Sequence, residues 1–189
     1  MSRERRERCA GFVLAGGLSS RMGRDKALLD FGGVTLLERI SDCVRQAAGN
    51  VTVIAPPARY RGLGLAIEPD CAEGCGPLGG VWTALKTTRA DWNLIVACDM
   101  PGLTTSLLGE LLDAAERSQA DCVVAQSERG IEPLCAVYHR RCEALAGAAI
   151  RSKSFKMHDF LSTLQTIFLP VADPAAVRNI NFPQDREGA

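Results

Sequence analysis

Leu14-Ala15-Gly16-Gly17-Leu18-Ser19-Ser20-Arg21-Met22-Gly23-Arg24-Asp25-Lys26 is the stretch on which the reading of this chain turns. The apolar run Cys9 to Leu14 precedes it and reads as a buried strand; an amphipathic helix opens behind it, near Thr35. Gly16 and Gly17 carry no Cβ, so the main chain can turn sharply, aim N–H groups outward and admit a phosphate or a flat base. Arg21 and Lys26 add positive charge. A guanidinium grips phosphate oxygens with two parallel donors, and an ammonium acts as a compact point charge. A Gly-Gly pair alone signals only a turn; a strand, two glycines and two cations in sequence point to an anion such as a nucleotide phosphate. The stretch is not the common P-loop, because no Gly-Lys-Ser/Thr follows the glycines, and no G-x-G-x-x-G is present.

The composition sets outer bounds. The chain has 189 residues, enough for one sizeable domain with its own core, and a hydrophobic content of 47% argues against disorder. Its 22 basic and 22 acidic residues balance to a formal charge of +0, which argues against bulk electrostatic binding to nucleic acid or membrane. Met1 to Arg8 is mostly charged and no apolar run reaches the length of a signal or membrane span, so a cytoplasmic protein is expected. Eight cysteines are present. Cys9, Cys98, Cys122 and Cys135 sit in apolar runs and read as small buried hydrophobes. Cys71 and Cys75 lack a second pair at ligand spacing, and His139 and His158 are isolated, so the pattern does not read as zinc.

Along the chain, Phe31-Gly32-Gly33 predicts a turn. Leu36, Leu37, Ile40, Cys43, Val44 and Ala47 then form one helical stripe opposite Glu38, Arg39, Asp42 and Arg45. Val51–Ala55 reads as a strand stopped by Pro56-Pro57, and Leu65–Ile67 as another. A second unusual loop follows, from Glu68 through Asp70 to Gly76-Pro77-Leu78-Gly79-Gly80, with a helix starting near Leu78 whose free N–H groups would face the space of the first loop. Asn93–Cys98 is the most apolar strand and empties into Asp99-Met100-Pro101. A carboxylate at the carboxyl end of a buried strand is placed to hold a cation, whereas Thr104 or Thr105 is the natural cap for the next helix. Asp121–Ala125 and Pro133–Tyr138 read as strands, the second with Pro133 at its start, and a helix covers roughly Arg141–Ala149. The run Arg151 to His158 is either a solvated helix start or the grip for an anionic second substrate. Gln165–Leu169 is a last strand. Asn179 and Asn181 near the end are turn residues or, if extended, amides sharing a face that could ligate a hard cation. Alternating strands and helices predict a mostly parallel sheet covered on both faces.

The first loop, Gly76-Pro77-Leu78-Gly79-Gly80, Cys98-Asp99-Met100-Pro101, Pro133-Leu134 before Ala136-Val137-Tyr138, and Asn179-Ile180-Asn181-x-Pro183 together resemble the molybdenum cofactor guanylyltransferases, in the family's order and approximate spacing. The resemblance implies a Rossmann-like three-layer α/β/α fold of the nucleotide-diphospho-sugar transferase type. It implies transfer of GMP from GTP to the phosphate of molybdopterin, with pyrophosphate released. It also implies a single domain over 1–189, residues 9–130 binding nucleotide and 131–185 molybdopterin. By the same resemblance Leu14, Ala15, Gly16 and Gly17 line the guanine and phosphates, with Gly76, Pro77 and Leu78 beside them, and Lys26 neutralises the triphosphate. Asp70 contacts base or ribose, Asp99 holds Mg²⁺ with Asn181 as second ligand, and Arg21 serves the leaving pyrophosphate. Pro133, Lys153, Ser154, Lys156 and Asn179 are acceptor contacts. The implied partners are GTP, molybdopterin and, transiently, molybdoenzymes or their chaperones, for a monomer that binds neither nucleic acid nor membrane. Ile54 stands where some members carry a nucleotide-touching asparagine, and Phe182 where a threonine is usual. A CTP-using sister enzyme and a non-catalytic nucleotide-binding regulator are the alternatives.

Overall fold

A computed structural model describes residues 8–16 and 25–180. Seven strands form one sheet: β1 (Cys9–Leu14), β2 (Thr52–Ile54), β3 (Ile67–Glu68), β4 (Trp92–Ala97), β5 (Cys122–Ser127), β6 (Gly130–His139) and β7 (Thr166–Pro170). Their order across the sheet is β3-β2-β1-β4-β6-β5-β7. β1 runs parallel to both β2 and β4, and β3 parallel to β2; β6 is antiparallel to its neighbours β4 and β5, and β7 is parallel to β5. One reversed strand in an otherwise parallel sheet satisfies the expected mostly parallel architecture.

Among the described residues five α-helices cover it: α1 (Leu36–Ala48), α2 (Pro77–Thr87), α3 (Thr105–Glu116), α4 (Glu143–Arg151) and the short α5 (Met157–Leu161). Successive strand residues point to opposite faces, and each face has its own core. Val13, Val53, Leu94, Val96 and Val123 meet Leu36, Leu37, Ile40, Val44, Leu108 and Leu111 of α1 and α3. Phe12, Ile54, Ile95, Val124 and Tyr138 meet Leu78, Val81 and Leu85 of α2, Ala146 of α4 and Phe160 of α5. Burial on both faces is why the central strands read as unbroken apolar runs rather than alternating ones. The result is the three-layer α/β/α fold that the sequence predicts.

Local signals set the helix ends. The Thr35 hydroxyl accepts from the Glu38 N–H while the Glu38 carboxylate accepts from the Thr35 N–H, a reciprocal cap for α1, and Gly49 closes that helix in the left-handed region. Thr104, not Asp99, caps α3 by accepting from the Leu107 N–H. This leaves Asp99 for other work.

Most strand limits move by one or two residues from expectation, and three differences have a clear local cause. β3 is Ile67–Glu68 rather than Leu65–Ile67, because pairing with Val53 and Ile54 begins only at Ile67, after Gly64 at φ 67°. α4 is Glu143–Arg151, preceded by a 3₁₀ turn over Arg140–Cys142. Pro133 lies inside β6 instead of starting it. The pairing with β5 shifts between Val124, opposite Ala136, and Ala125, opposite Glu132, so the proline occupies a bulge where a missing N–H costs no ladder bond. Pairing of β6 with β4 begins only at Cys135. The preceding residues therefore project past the end of β4.

Candidate functional site

The site forms where β1 and β4 end together. Leu14 pairs with Ala97, and the Cys98 N–H donates to the Leu14 carbonyl at 3.1 Å, so the ladder holds one residue further and releases Asp99 beside Ala15 and Gly16. On the other flank of β1, the Ala15 N–H donates to the Ile54 carbonyl at 3.0 Å. This is the crevice at the carboxyl ends of strands where open α/β sheets bind their ligands.

Lys26 enters from a 3₁₀ turn, Lys26–Leu28, whose N-cap is Asp25; Asp25 Oδ1 accepts from the Ala27 N–H at 3.1 Å. The Lys26 Nζ lies 3.8 Å from Asp99 Oδ2 and donates to the Ile180 carbonyl at 2.6 Å. The Ile180 N–H in turn donates to the Asp99 carbonyl at 2.8 Å. Three segments far apart in sequence are thereby closed on one point.

Asp99 Oδ1 and Asn179 Oδ1 are both buried and, among the described residues, have no hydrogen-bond partner. Burial pushes the Asp99 carboxyl above its ordinary range, with Lys26 pulling it back. Glu132 is also pushed up by burial; a hydrogen bond from the Asn179 amide opposes this, and the charge of Asp99 adds to it. Because Asn179 donates to Glu132 through its NH₂, its side-chain oxygen is left as an acceptor. Asp99, Glu132 and Asn179 line a cleft of about 270 Å³ whose apolar walls include Pro77, Pro133, Leu134 and Met157. Orphaned buried oxygens from a carboxylate and an amide, beside a second carboxylate, suit a hard cation that takes oxygen ligands. Among the described residues no three His, Cys, Asp or Glu side chains gather into a group that could hold a metal by themselves, so a cation here would also need the Asn179 amide oxygen, and none of the eight cysteines is in a disulfide.

The structure brings several of the expected residues together. Lys26 and Asp99 meet; Pro77, Pro133 and Asn179 line the same cleft as Asp99. Leu14 reaches α2, where a Cβ added to Gly80 would come within 3.1 Å of its side chain, so the glycine lets the helix approach the first strand. Gly76 holds φ 63° as the N-cap of α2, with Pro77 next and no side-chain cap. Leu78 is fully buried, main chain included, and packs in the core beneath this loop.

Others are placed differently. Asp70 braces its own loop: Oδ1 accepts from the Thr83 hydroxyl at 2.8 Å and the Ala72 N–H at 2.9 Å. Lys153 and Ser154 do not line the cleft. Lys153 sits at φ 60° in the turn that ends α4, its N–H donating to the Ile150 carbonyl and that of Ser154 to the Ala149 carbonyl. Lys156 is exposed at the N-cap of α5, next to Met157 of the cleft wall. Gly17, Arg21 and Asn181 lie outside the described residues. Sequence reasoning did not single out Glu132, Met100 or Met157 as cleft residues; the signal for Glu132 was a carboxylate directly before a predicted strand, next to a proline already singled out.

A glycine-bearing strand end, a lysine and a carboxylate converging at the carboxyl edge of a Rossmann-like sheet define a protein of the nucleotidyltransferase class. The chain belongs to the MobA-like NTP transferase domain family, whose model matches residues 11–167. It is 36% identical over 189 aligned residues to a probable molybdenum cofactor guanylyltransferase of Opitutus terrae, covering 94% of this chain and 93% of that one. It is 35% identical to another so described from Nostoc sp., covering 92% and 86%. Its fold matches the crystal structure of molybdopterin-guanine dinucleotide biosynthesis protein A from Archaeoglobus fulgidus with a TM-score of 0.79, at 22% identity and over 93% and 94% of the two chains. No helix among the described residues is long and apolar enough to cross a membrane.

Proposed function

We propose that this nucleotidyltransferase moves GMP from GTP to the terminal phosphate of molybdopterin. The observation that carries the reading is the meeting of Lys26 and Asp99, 3.8 Å apart, at the open end of β1. An acceptor phosphate oxygen attacks the α-phosphorus; the bond to the β-phosphate bridging oxygen breaks and pyrophosphate leaves. Negative charge spreads over the transferring group, so alignment and fixed cations supply the catalysis and no covalent nucleophile is needed. Lys26 neutralises the triphosphate, the main chain of Leu14 to Gly16 and of Gly76 and Pro77 lies along it, and Arg21 serves the departing pyrophosphate. Asp70 contributes by holding the shape of its loop.

Asp99 and Asn181 would hold Mg²⁺, with Asn179 offering a further oxygen, and the ion would draw charge off the phosphate oxygens. Residues from about 131 onward receive the pterin against Pro133, Leu134 and Met157, with Lys156 near its phosphate. A monomeric, cytoplasmic enzyme working on two small substrates, GTP and molybdopterin, accounts for these features. Guanine over cytosine is supported by the names of the relatives.

The test is pyrophosphate release from purified protein with Mg²⁺, molybdopterin and either GTP or CTP. Release with GTP, absent with Asp99→Ala, is expected. Faster release with CTP overturns the base assignment, and saturable GTP binding without pyrophosphate overturns the enzyme.

A further inference from the structure

Tyr60 belongs to none of the loops discussed above, yet its phenol joins two of them. It follows Pro56-Pro57 at the end of β2, is 1% exposed, and belongs to the core on the sheet face that α1 and α3 cover. Its oxygen lies 2.9 Å from the Ala15 carbonyl and 2.9 Å from Asp25 Oδ2. Both partners are acceptors, so one phenolic proton serves both. Burial, and then the neighbouring Asp25, push the phenol well above its ordinary range, which keeps that proton on the oxygen.

Each contact has a consequence at the site. The peptide unit is planar and trans, with its C=O and N–H on opposite sides. A phenol holding the Ala15 carbonyl therefore turns the Gly16 N–H the other way. Among the described residues that N–H has no partner, and Gly16 is exposed with open space where a Cβ would stand, so the donor is available to a ligand. On the other side, Asp25 is fixed at both oxygens: Oδ2 by Tyr60, with Arg59 Nε at 3.8 Å, and Oδ1 by the Ala27 N–H. That second bond caps the turn from which Lys26 reaches Asp99.

The geometry points to Tyr60 as a positioning residue for the phosphate pocket, setting the Gly16 N–H and, through Asp25, the Lys26 ammonium toward one anion. It touches no substrate itself. The assignment rests on the proposed nucleotide reading and adds the residue that arranges its anion contacts.

Tyr60→Phe keeps the ring in the core and removes only the hydroxyl. Affinities for inorganic pyrophosphate, GTP and guanosine are measured by titration calorimetry, at a temperature where thermal unfolding shows wild type, Tyr60→Phe and Lys26→Ala all folded. Loss of hydrogen bonds to a charged partner and a site carbonyl predicts a fall of roughly tenfold or more in pyrophosphate and GTP affinity. Guanosine affinity stays unchanged, and KM for GTP rises more than kcat falls. Pyrophosphate affinity within twofold of wild type, while Lys26→Ala loses it, overturns the assignment and leaves the nucleotide reading standing. Equal losses for guanosine and pyrophosphate also overturn it, since a merely structural tyrosine would act on both. Wild-type protein that binds neither GTP nor pyrophosphate overturns both readings.

Discussion

Replacing Lys26 by methionine keeps an unbranched apolar stem and removes the charge that faces Asp99. Two unit charges 3.8 Å apart attract by about 1 kcal/mol in water and about 4 kcal/mol at an effective dielectric constant of 20. The Lys26 and Asp99 side chains are 17% and 26% exposed, so solvent reaches the pair and the lower part of that range applies. A coupling of about 1–2 kcal/mol corresponds to about one pH unit. The direction follows from the environment: burial already holds the Asp99 carboxyl above its usual range and Lys26 lowers it, so losing Lys26 raises it further. A carboxylate that must be ionised to bind a cation gives the rate an acid limb. In Lys26→Met that limb moves to higher pH by about one unit, and kcat/KM on the plateau falls by about 10²-fold or more because the triphosphate loses a fixed cation. Pyrophosphate release measured from pH 5 to 9 reads both effects, with the pH dependence of Mn²⁺ affinity as a second readout where turnover is too slow. An acid limb that stays at the wild-type pH refutes the coupling, and an unchanged plateau removes Lys26 from the chemistry.

Two further substitutions test the frame around the site. Asp121 accepts from Arg141 Nε at 2.5 Å and from the Gln165 N–H at 2.8 Å, tying β5, β6 and β7. Burial pushes its carboxyl up, but those two contacts outweigh it and hold the group below the usual carboxylate range. The stabilisation is therefore present above the unfolded pKa and lost as pH falls through the folded one. Asp121→Asn should cost about 1–2 kcal/mol at pH 7, and in denaturant titrations the gap from wild type should close below pH 4, the ordinary aspartate range; a gap that persists at low pH would contradict this. Gly79→Ala would place a Cβ 2.6 Å from the Ala72 carbonyl oxygen and 3.3 Å from Asp70 Oδ2. The backbone of the second loop must move, so a loss of about 1–3 kcal/mol is expected, visible as a drop in Tm of about 2–4 °C per kcal/mol. An unchanged Tm would show that the loop yields freely.

What the residues determine by themselves is local. Thr35 with Glu38 three positions on marks the start of α1, the stripe from Leu36 to Ala47 sets its buried face, and unbroken apolar runs announce strands covered on both sides. The glycines after Leu14, the lysine twelve residues beyond it, and the aspartate at the end of the most apolar strand stand out in the sequence as the two poles of the candidate site. These signals are legible because hydrogen bonding, side-chain sterics and burial act over a few residues.

Tertiary structure alone decided the rest. The reversal of β6 and the bulge at Pro133 depend on which strands it lies between, and only they bring Glu132 beside Asn179 and into the cleft with Asp99. The family resemblance implies a nucleotide contact for Asp70, and the fold has Thr83 of the following helix donate to one of its oxygens. Tyr60 carries no signal in the sequence; only the fold sets its hydroxyl between Ala15 and Asp25. In each case the deciding partner is supplied by a distant segment through non-local pairing, and a linear pattern carries no record of where a chain will meet itself.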